Sequence, residues 1–128
     1  MNSAFQIPDS STFEKGREGE SLACEFLESL GYQIVKRNFK LGQSGEIDIV
    51  AKDKDEYVFV EVKSRKTANF SDPLFSIDFR KVKSIRRTAE TYLYVNKLHD
   101  VSCRFDIITI DYSKSKPELK HLINAIYY

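Results

Sequence analysis

Cysteine is scarce in this chain, as are long apolar runs and any excess of one charge, and each absence excludes something. Cys24 and Cys103 lie 79 positions apart, with no second Cys or His at zinc-ligand spacing, which argues against a disulfide framework or a zinc finger. Such sparing cysteine use fits a reducing cytoplasm. No apolar stretch approaches the roughly 18 residues that a bilayer crossing needs. The opening MNSAFQIPDSSTF puts no basic residue before its short, polar-interrupted stretch, so neither secretion nor membrane insertion is expected. The 20 Lys+Arg offset 19 Asp+Glu, and a formal charge of +1 gives no global field to announce a nucleic-acid or membrane partner. Any such partner must be met by a local patch. Internal repeats and low-complexity tracts are also missing.

What is present is 128 residues with 41% hydrophobic content, enough for one domain with a real core and short for two. Residues 1–11 are small and polar and read as a loose arm, which leaves 12–128 as a single domain. Ser11 and Glu14 have capping-box spacing. Leu22, Ala23, Phe26, Leu27 and Leu30 then share a helical face until Gly31 stops it, so a helix is expected over about 12–30. A strand follows from Tyr32 to Phe39, then the LGQSG loop, then two alternating runs, Gly45–Lys52 and Tyr57–Ser64, joined by a polar turn as a β-hairpin. A second amphipathic helix is expected over about 78–96, with Val82, Ile85, Ala89, Tyr92 and Leu93 inward. The apolar run Val101–Asp111 reads as a central strand, and a last strand lies near Leu119–Asn124.

The hairpin carries the chemistry. If it is symmetric about Asp53–Glu56, residues whose numbers sum to 109 face one another. Ile47, Ile49 and Ala51 then meet Val62, Val60 and Val58 on an apolar face. On the other face Glu46 meets Lys63, Asp48 meets Glu61, and Val50 meets Phe59. Two carboxylates directly opposed destabilise a sheet unless a cation or a proton neutralises one. A hard divalent ion such as Mg²⁺ or Mn²⁺ suits such a pair, with water and substrate phosphate filling its remaining positions. Lys63, two residues beyond Glu61 on the same face, is placed to hold an attacking water or to stabilise charge building on a phosphate. An exposed ion-pair ladder of small energetic weight is the other reading of the same quartet.

Asp48 followed by Glu61-Val62-Lys63 resembles the core of the PD-(D/E)XK, or restriction-endonuclease-like, nuclease superfamily. More closely, the runs GREGESLACEFLESLGY, RNF, GEIDIVAKDKDEYVFVEVKSRK and RFDIITI resemble the YraN-like family of small bacterial proteins. That family is described as predicted endonucleases, distantly similar to archaeal Holliday-junction resolvases. The similarity spans about residues 13–124. It implies an α/β fold with an αβββαβ core, a mixed central sheet flanked by helices. It further implies Asp48 and Glu61 as metal ligands, Val62 as the residue lending a backbone carbonyl, and Lys63 as the catalytic lysine. Ile47 stands where the superfamily pattern has proline. Glu20 lies about 20° from the apolar stripe of the first helix and can lean over the sheet. By the same resemblance it completes the acidic site, with a solvated helix acid as the alternative.

Arg65 and Lys66 follow the lysine closely and are candidates for phosphate contacts, as is the stripe Arg80, Lys83, Arg87 on the second helix, which an ordinary solvated face would also show. Glu46 reads either as an acid supporting the site or as the ion-pair partner of Lys63. His99 and His121 lack partners at ligand spacing and read as structural. The sequence thus leads to the expectation of a Mg²⁺- or Mn²⁺-dependent DNA endonuclease of the cytoplasm, with branched or junction DNA as the substrate class that the resemblance implies. Two other readings stay open: a non-catalytic nucleic-acid-binding module, and a protein-protein adaptor. A two-fold homodimer is a further expectation, since a symmetric junction suits a symmetric enzyme.

Overall fold

In order along the chain come α1 (Arg17–Ser29), β1 (Gln33–Leu41), β2 (Gly45–Asp53), β3 (Glu56–Arg65), α2 (Phe79–Val95), β4 (Cys103–Asp111) and β5 (Glu118–Leu122). The structure is a computed structural model that describes residues 17–43, 45–65, 79–113 and 115–126. The N-terminal arm, the Ser11–Glu14 box and Lys66 lie outside the described residues. The five strands form one sheet in the order β1-β2-β3-β4-β5, in which only the β3–β4 pair is parallel. A parallel pair needs a long crossover, and the segment that contains α2 supplies it. The arrangement is a mixed α/β fold compatible with restriction-endonuclease-like architecture.

Alternation along the strands divides the apolar side chains between two cores. On one face Leu22, Ala23 and Leu27 of α1 pack against Ile49, Ala51, Val58, Val60, Ile108 and Ile110. On the other, Ile85, Ala89 and Tyr92 of α2 pack against Val50, Phe59 and Ile107. A buried Leu, Val or Phe contributes about 1.5–3 kcal/mol by leaving water, so a sheet covered on both faces is the main source of stability. Gly31 ends α1 with φ +94°. The Tyr32 N–H reaches the Leu27 carbonyl at 3.0 Å and the Gly31 N–H reaches Glu28 at 2.9 Å, the paired bonds of a Schellman stop. No described helix is long and apolar enough to cross a membrane.

Two strand assignments change. The apolar strand expected at the centre is β4, which lies between β3 and β5, while β3 is the middle strand. The hairpin register holds from Asp53↔Glu56 through Ile49↔Val60 and then stops. The opposed pairs Asp48–Glu61 and Glu46–Lys63 are therefore not rungs of the ladder. Ile47 also changes face: it joins Val50, Phe59 and α2, whereas Ile49, two residues on, faces α1. Its neighbour on β1 does the same, since Arg37 reaches Ser21 on α1 while Phe39 meets Tyr92 on α2. Both strands turn over at one level, and there Asn38 holds a left-handed φ of +55°. Asn is among the few residues that adopt that conformation readily.

Candidate active site

Where the β2–β3 ladder stops, the two strands part and their polar groups turn to one another. The Val62 N–H donates to Asp48 Oδ2 at 2.8 Å, so a side chain takes the place of the next backbone rung. In an extended strand a residue's N–H and C=O leave on the same side, which turns the Val62 carbonyl toward the same gap. Glu61, one residue earlier, is buried and faces α2, whose Lys81 Nζ lies 3.4 Å from its Oε2. Lys63 continues that alternation, half-buried, at the level of Thr109 on β4. Among the described residues neither Lys63 nor Glu46 forms an ion pair with the other.

Glu20 reaches the same place from α1. The Asn38 side chain hydrogen-bonds it, and Asp48, Glu46 and Arg37 act on it electrostatically. Burial first, then the Asp48 charge, raise its carboxyl above the usual range, opposed by Asn38 and Arg37. At Asp48, burial and then the Glu61 carboxylate push the pKa up to about 7, against the Val62 N–H and Lys81. Acids so placed are short of positive charge. The donors fit a hard divalent ion, which is typically held by one or two carboxylates and otherwise by water and carbonyl oxygens. The Lys81 ammonium on Glu61 shows that the place accepts a cation. Among the described residues no three His, Cys, Asp or Glu side chains converge into a ready-made cage, so Glu20 stands beside the Asp48–Glu61 pair without closing it.

The phosphate-contact candidates are not brought together. Arg65 is tied to Asp111 at 3.0 Å with a largely covered side chain, which makes it a brace between β3 and β4 rather than an open phosphate contact. That ion pair holds the Asp111 carboxyl well below the usual range. Arg80, Lys83 and Arg87 lie on α2, outside its packed face. At 100° per residue they point roughly 100–160° away from Lys81, the residue that looks into the site.

Three residues escaped the sequence reading. Asn38 had a visible signal, a turn-type residue inside a predicted strand. At Gly45 α2 lies close against β2: a Cβ there would run into Thr88 Oγ1 and come within 2.9 Å of Ser84 Oγ. Lys81 was hidden by the Arg80, Lys83, Arg87 stripe around it.

Toward the hairpin-turn end of the sheet, over the first half of β4, lies a second polar cluster. Asp106, fully buried, accepts from Arg104 Nε at 3.0 Å and from the Asn124 N–H at 2.9 Å, and lies 2.8 Å from His121 Nε2. Arg104 also donates to Glu56 at 2.8 Å and to the Tyr32 hydroxyl at 2.6 Å. His121 is therefore structural, as its lack of ligand-spaced partners suggests.

The model of the uncharacterised protein family UPF0102 matches residues 19–110. A UPF0102 protein of Geobacter metallireducens is 41% identical over 110 residues, covering 86% of this chain and 89% of the relative. One of Clostridioides difficile is 41% identical over 112 residues, covering 88% and 96%. One of Persephonella marina is 45% identical over 96 residues, covering 75% and 82%. The chain belongs to the UPF0102 family, the YraN-like family its motifs resemble. The matched span takes in Glu20, Asn38, Asp48, Glu61, Lys63 and Lys81.

Proposed function

We propose that this UPF0102 protein is a Mg²⁺- or Mn²⁺-dependent phosphodiesterase acting on DNA, of the PD-(D/E)XK kind and working in the cytoplasm. The observation that carries the reading is the split between β2 and β3, which sets Asp48 against Glu61 and leaves Asp48 with no ion pair among the described residues, with Lys63 two residues along β3 from Glu61. Asp48, Glu61 and the Val62 carbonyl would hold the ion. When bound, such an ion supplies an activated water and neutralises charge on the phosphate. Lys63 positions that water or steadies the negative charge that builds on the phosphate. Asn38 orients Glu20 over the pair, and Lys81, on Glu61, is the group that gives way to the ion. A non-catalytic nucleic-acid-binding module is the second reading, favoured by the Lys81–Glu61 contact, which already neutralises one carboxylate.

The test is incubation with branched, flapped, single-stranded and duplex DNA in Mg²⁺ or Mn²⁺, beside a Lys63→Ala control. Loss of a transition-state contact of this kind costs about a hundredfold to a thousandfold in rate. Lys63→Ala is expected to stay folded, to bind DNA and to cut at least about a hundredfold more slowly. A wild type that cuts none of the substrates leaves the binding module as the reading. A Lys63→Ala protein that cuts at the wild-type rate removes the lysine from the mechanism.

A further inference from the structure

On α2 it is Lys81 that meets the carboxylates. The stripe Arg80, Lys83, Arg87 is turned away from the split strands, and one of its members is engaged locally, with Lys83 Nζ 5.4 Å from the centre of the Phe79 ring. Lys81 points the other way, onto Glu61. Beside it opens a cleft of about 390 Å³ between the β1–β2 turn and the first half of α2, lined by Lys40, Gly42, Gln43, Glu46, Lys81 and Ser84. Glu46 belongs both to this lining and to the electrostatic surroundings of Asp48 and Glu20, so the cleft borders the acidic cluster.

The lining has a definite chemistry. Two ammonium groups line it with an amide and a hydroxyl, the Glu46 carboxylate marks its side toward Asp48, and Gly42 takes a left-handed φ of +54° in the lining. Gly45, at the start of β2, lets α2 approach until Ser84 forms the opposite wall. The surface is polar and lacks aromatic or aliphatic side chains to grip a base or a lipid. It suits a chain of phosphates, which lysines bind as point charges and amides and hydroxyls orient. Lys40 is exposed and, among the described residues, has no ion-pair partner.

Resting on the phosphodiesterase reading, we infer that this cleft is the backbone track of the DNA strand that enters the site. Lys40 and Lys81 are its phosphate contacts, and the Arg80, Lys83, Arg87 stripe is not a binding surface. Lys81 has two positions in this scheme: on Glu61 in the empty protein, and on a phosphate of the bound strand once a metal ion neutralises Glu61.

Binding of a labelled branched DNA, measured by fluorescence anisotropy in Mg²⁺ across a salt series, tests the assignment. All proteins carry Lys63→Ala so that the DNA stays whole, and thermal melts verify folding. Adding Lys40→Ala and Lys81→Ala together is expected to weaken binding at least about tenfold and to lower the salt slope by about 2, since each phosphate contact contributes about 0.9. Lys40→Ala alone, which leaves Glu61 and its partner untouched, should lower the slope by about 1. Adding Arg80→Ala, Lys83→Ala and Arg87→Ala should change affinity less than about threefold, as expected of charges that meet no phosphate. Inorganic phosphate at matched ionic strength should not displace the DNA, which separates a polynucleotide track from a small-anion pocket. The inference falls if the triple stripe variant abolishes binding while the Lys40 and Lys81 variants bind like their parent, if phosphate displaces the DNA, or if no DNA binds. Its failure and that of hydrolysis are distinct. Binding through Lys40 and Lys81 with no cleavage by wild type supports the cleft and defeats the enzyme; cleavage indifferent to both lysines does the reverse.

Discussion

Asp48 and Asp106 are aspartates of one sheet in opposite circumstances. Asp106 is fully buried, yet its two oxygens meet Arg104, His121 and the Asn124 N–H. Burial alone would raise its carboxyl, but those partners outweigh burial and hold it below its ordinary value. Asp48 is only half-buried and, among the described residues, has one hydrogen bond, from Val62, against the charges of Glu61 and Glu46, and it is raised. A polar group sealed with all its partners holds a structure together. One left short of positive charge at an opening is poised for a ligand, which is why shifted acids in clefts mark candidate sites. The Arg104–Asp106 cluster ties the β2–β3 turn, β4 and β5 together, while the Asp48–Glu61 pair is left unresolved where β2 and β3 part.

The largest effect should come from the sealed end. Asp106→Ala leaves Arg104 without its main partner and the Asn124 N–H buried without an acceptor, so it should cost about 3–5 kcal/mol. Asp48→Asn keeps an acceptor for Val62 while removing one of two repelling charges. It should leave the metal-free protein as stable as wild type or more so. Urea denaturation in EDTA measures both, and equal losses from the two substitutions would break the comparison.

The two ends should also answer pH with opposite sign. A raised acid stabilises the folded state below its unfolded pKa of about 3.9, and that contribution is lost as pH climbs through the folded value. Asp48 therefore costs the metal-free protein stability as pH rises from about 4 to about 7. Asp106, being lowered, contributes above about pH 4 and ceases to as pH falls through its folded value. The advantage of Asp48→Asn over wild type should grow across that window by at most a few kcal/mol, because each tenfold difference in proton affinity between folded and unfolded chains is worth roughly 1.4 kcal/mol. Melting curves in EDTA from about pH 4.5 to about pH 8 span the window and measure it. Parallel curves would show that Asp48 does not titrate there.

How far the sequence displayed this difference depends on which physical rule was in force. Strict alternation and hairpin symmetry correctly pair Ile49 with Val60 and Asp53 with Glu56, because a two-residue turn fixes register locally. They fail at Ile47 and Asp48, where both strands turn over opposite the left-handed Asn38, a backbone event that no periodicity contains. Asp48, Glu61, Lys63 and Glu20 were legible as residues, and the structure brings Glu20, Asp48 and Glu61 into one electrostatic neighbourhood, with Lys63 two residues along β3 from Glu61. Lys81 was not legible, because which cation of a basic helix faces a sheet depends on how the helix is rotated and seated. Gly45 fixes that seating, and it reads as an ordinary loop glycine until Thr88 and Ser84 are seen against it.

Gly45→Ala should therefore loosen one end without touching the other. The added methyl meets two side chains and the Ser84 carbonyl, the last at 3.3 Å, and overpacking of this kind costs about 1–3 kcal/mol. Hydrogen exchange should accelerate in β2 near Glu46 and in the α2 segment around Ser84 while Asp106 and its neighbours stay protected. Uniform acceleration would mean that the two ends unfold as one unit and that the contact does not locally set the site.

The smallest effect separates the cations of the two clusters. Arg104 is largely covered and joins Asp106, Glu56 and the Tyr32 hydroxyl, whereas Lys81 is 43% exposed and makes a longer ion pair with Glu61. An ion pair open to solvent is worth about 1 kcal/mol at most, because water competes for both charges and a long side chain must be held still. Its partner complicates that figure, since Glu61 is buried and loses a neutralising charge when Lys81 goes. The repulsion between Glu61 and Asp48 then grows, and proton uptake by Asp48, already raised, relieves it. Lys81→Met, which keeps the aliphatic stem on α2, should thus cost less than about 1 kcal/mol in EDTA near pH ~6, and more near pH ~8, where that proton is gone. Denaturation at the two pH values tests this. A loss of several kcal/mol at both would place Lys81 with Arg104 as a structural clasp, and would leave the split between β2 and β3 as firmly sealed as the other end.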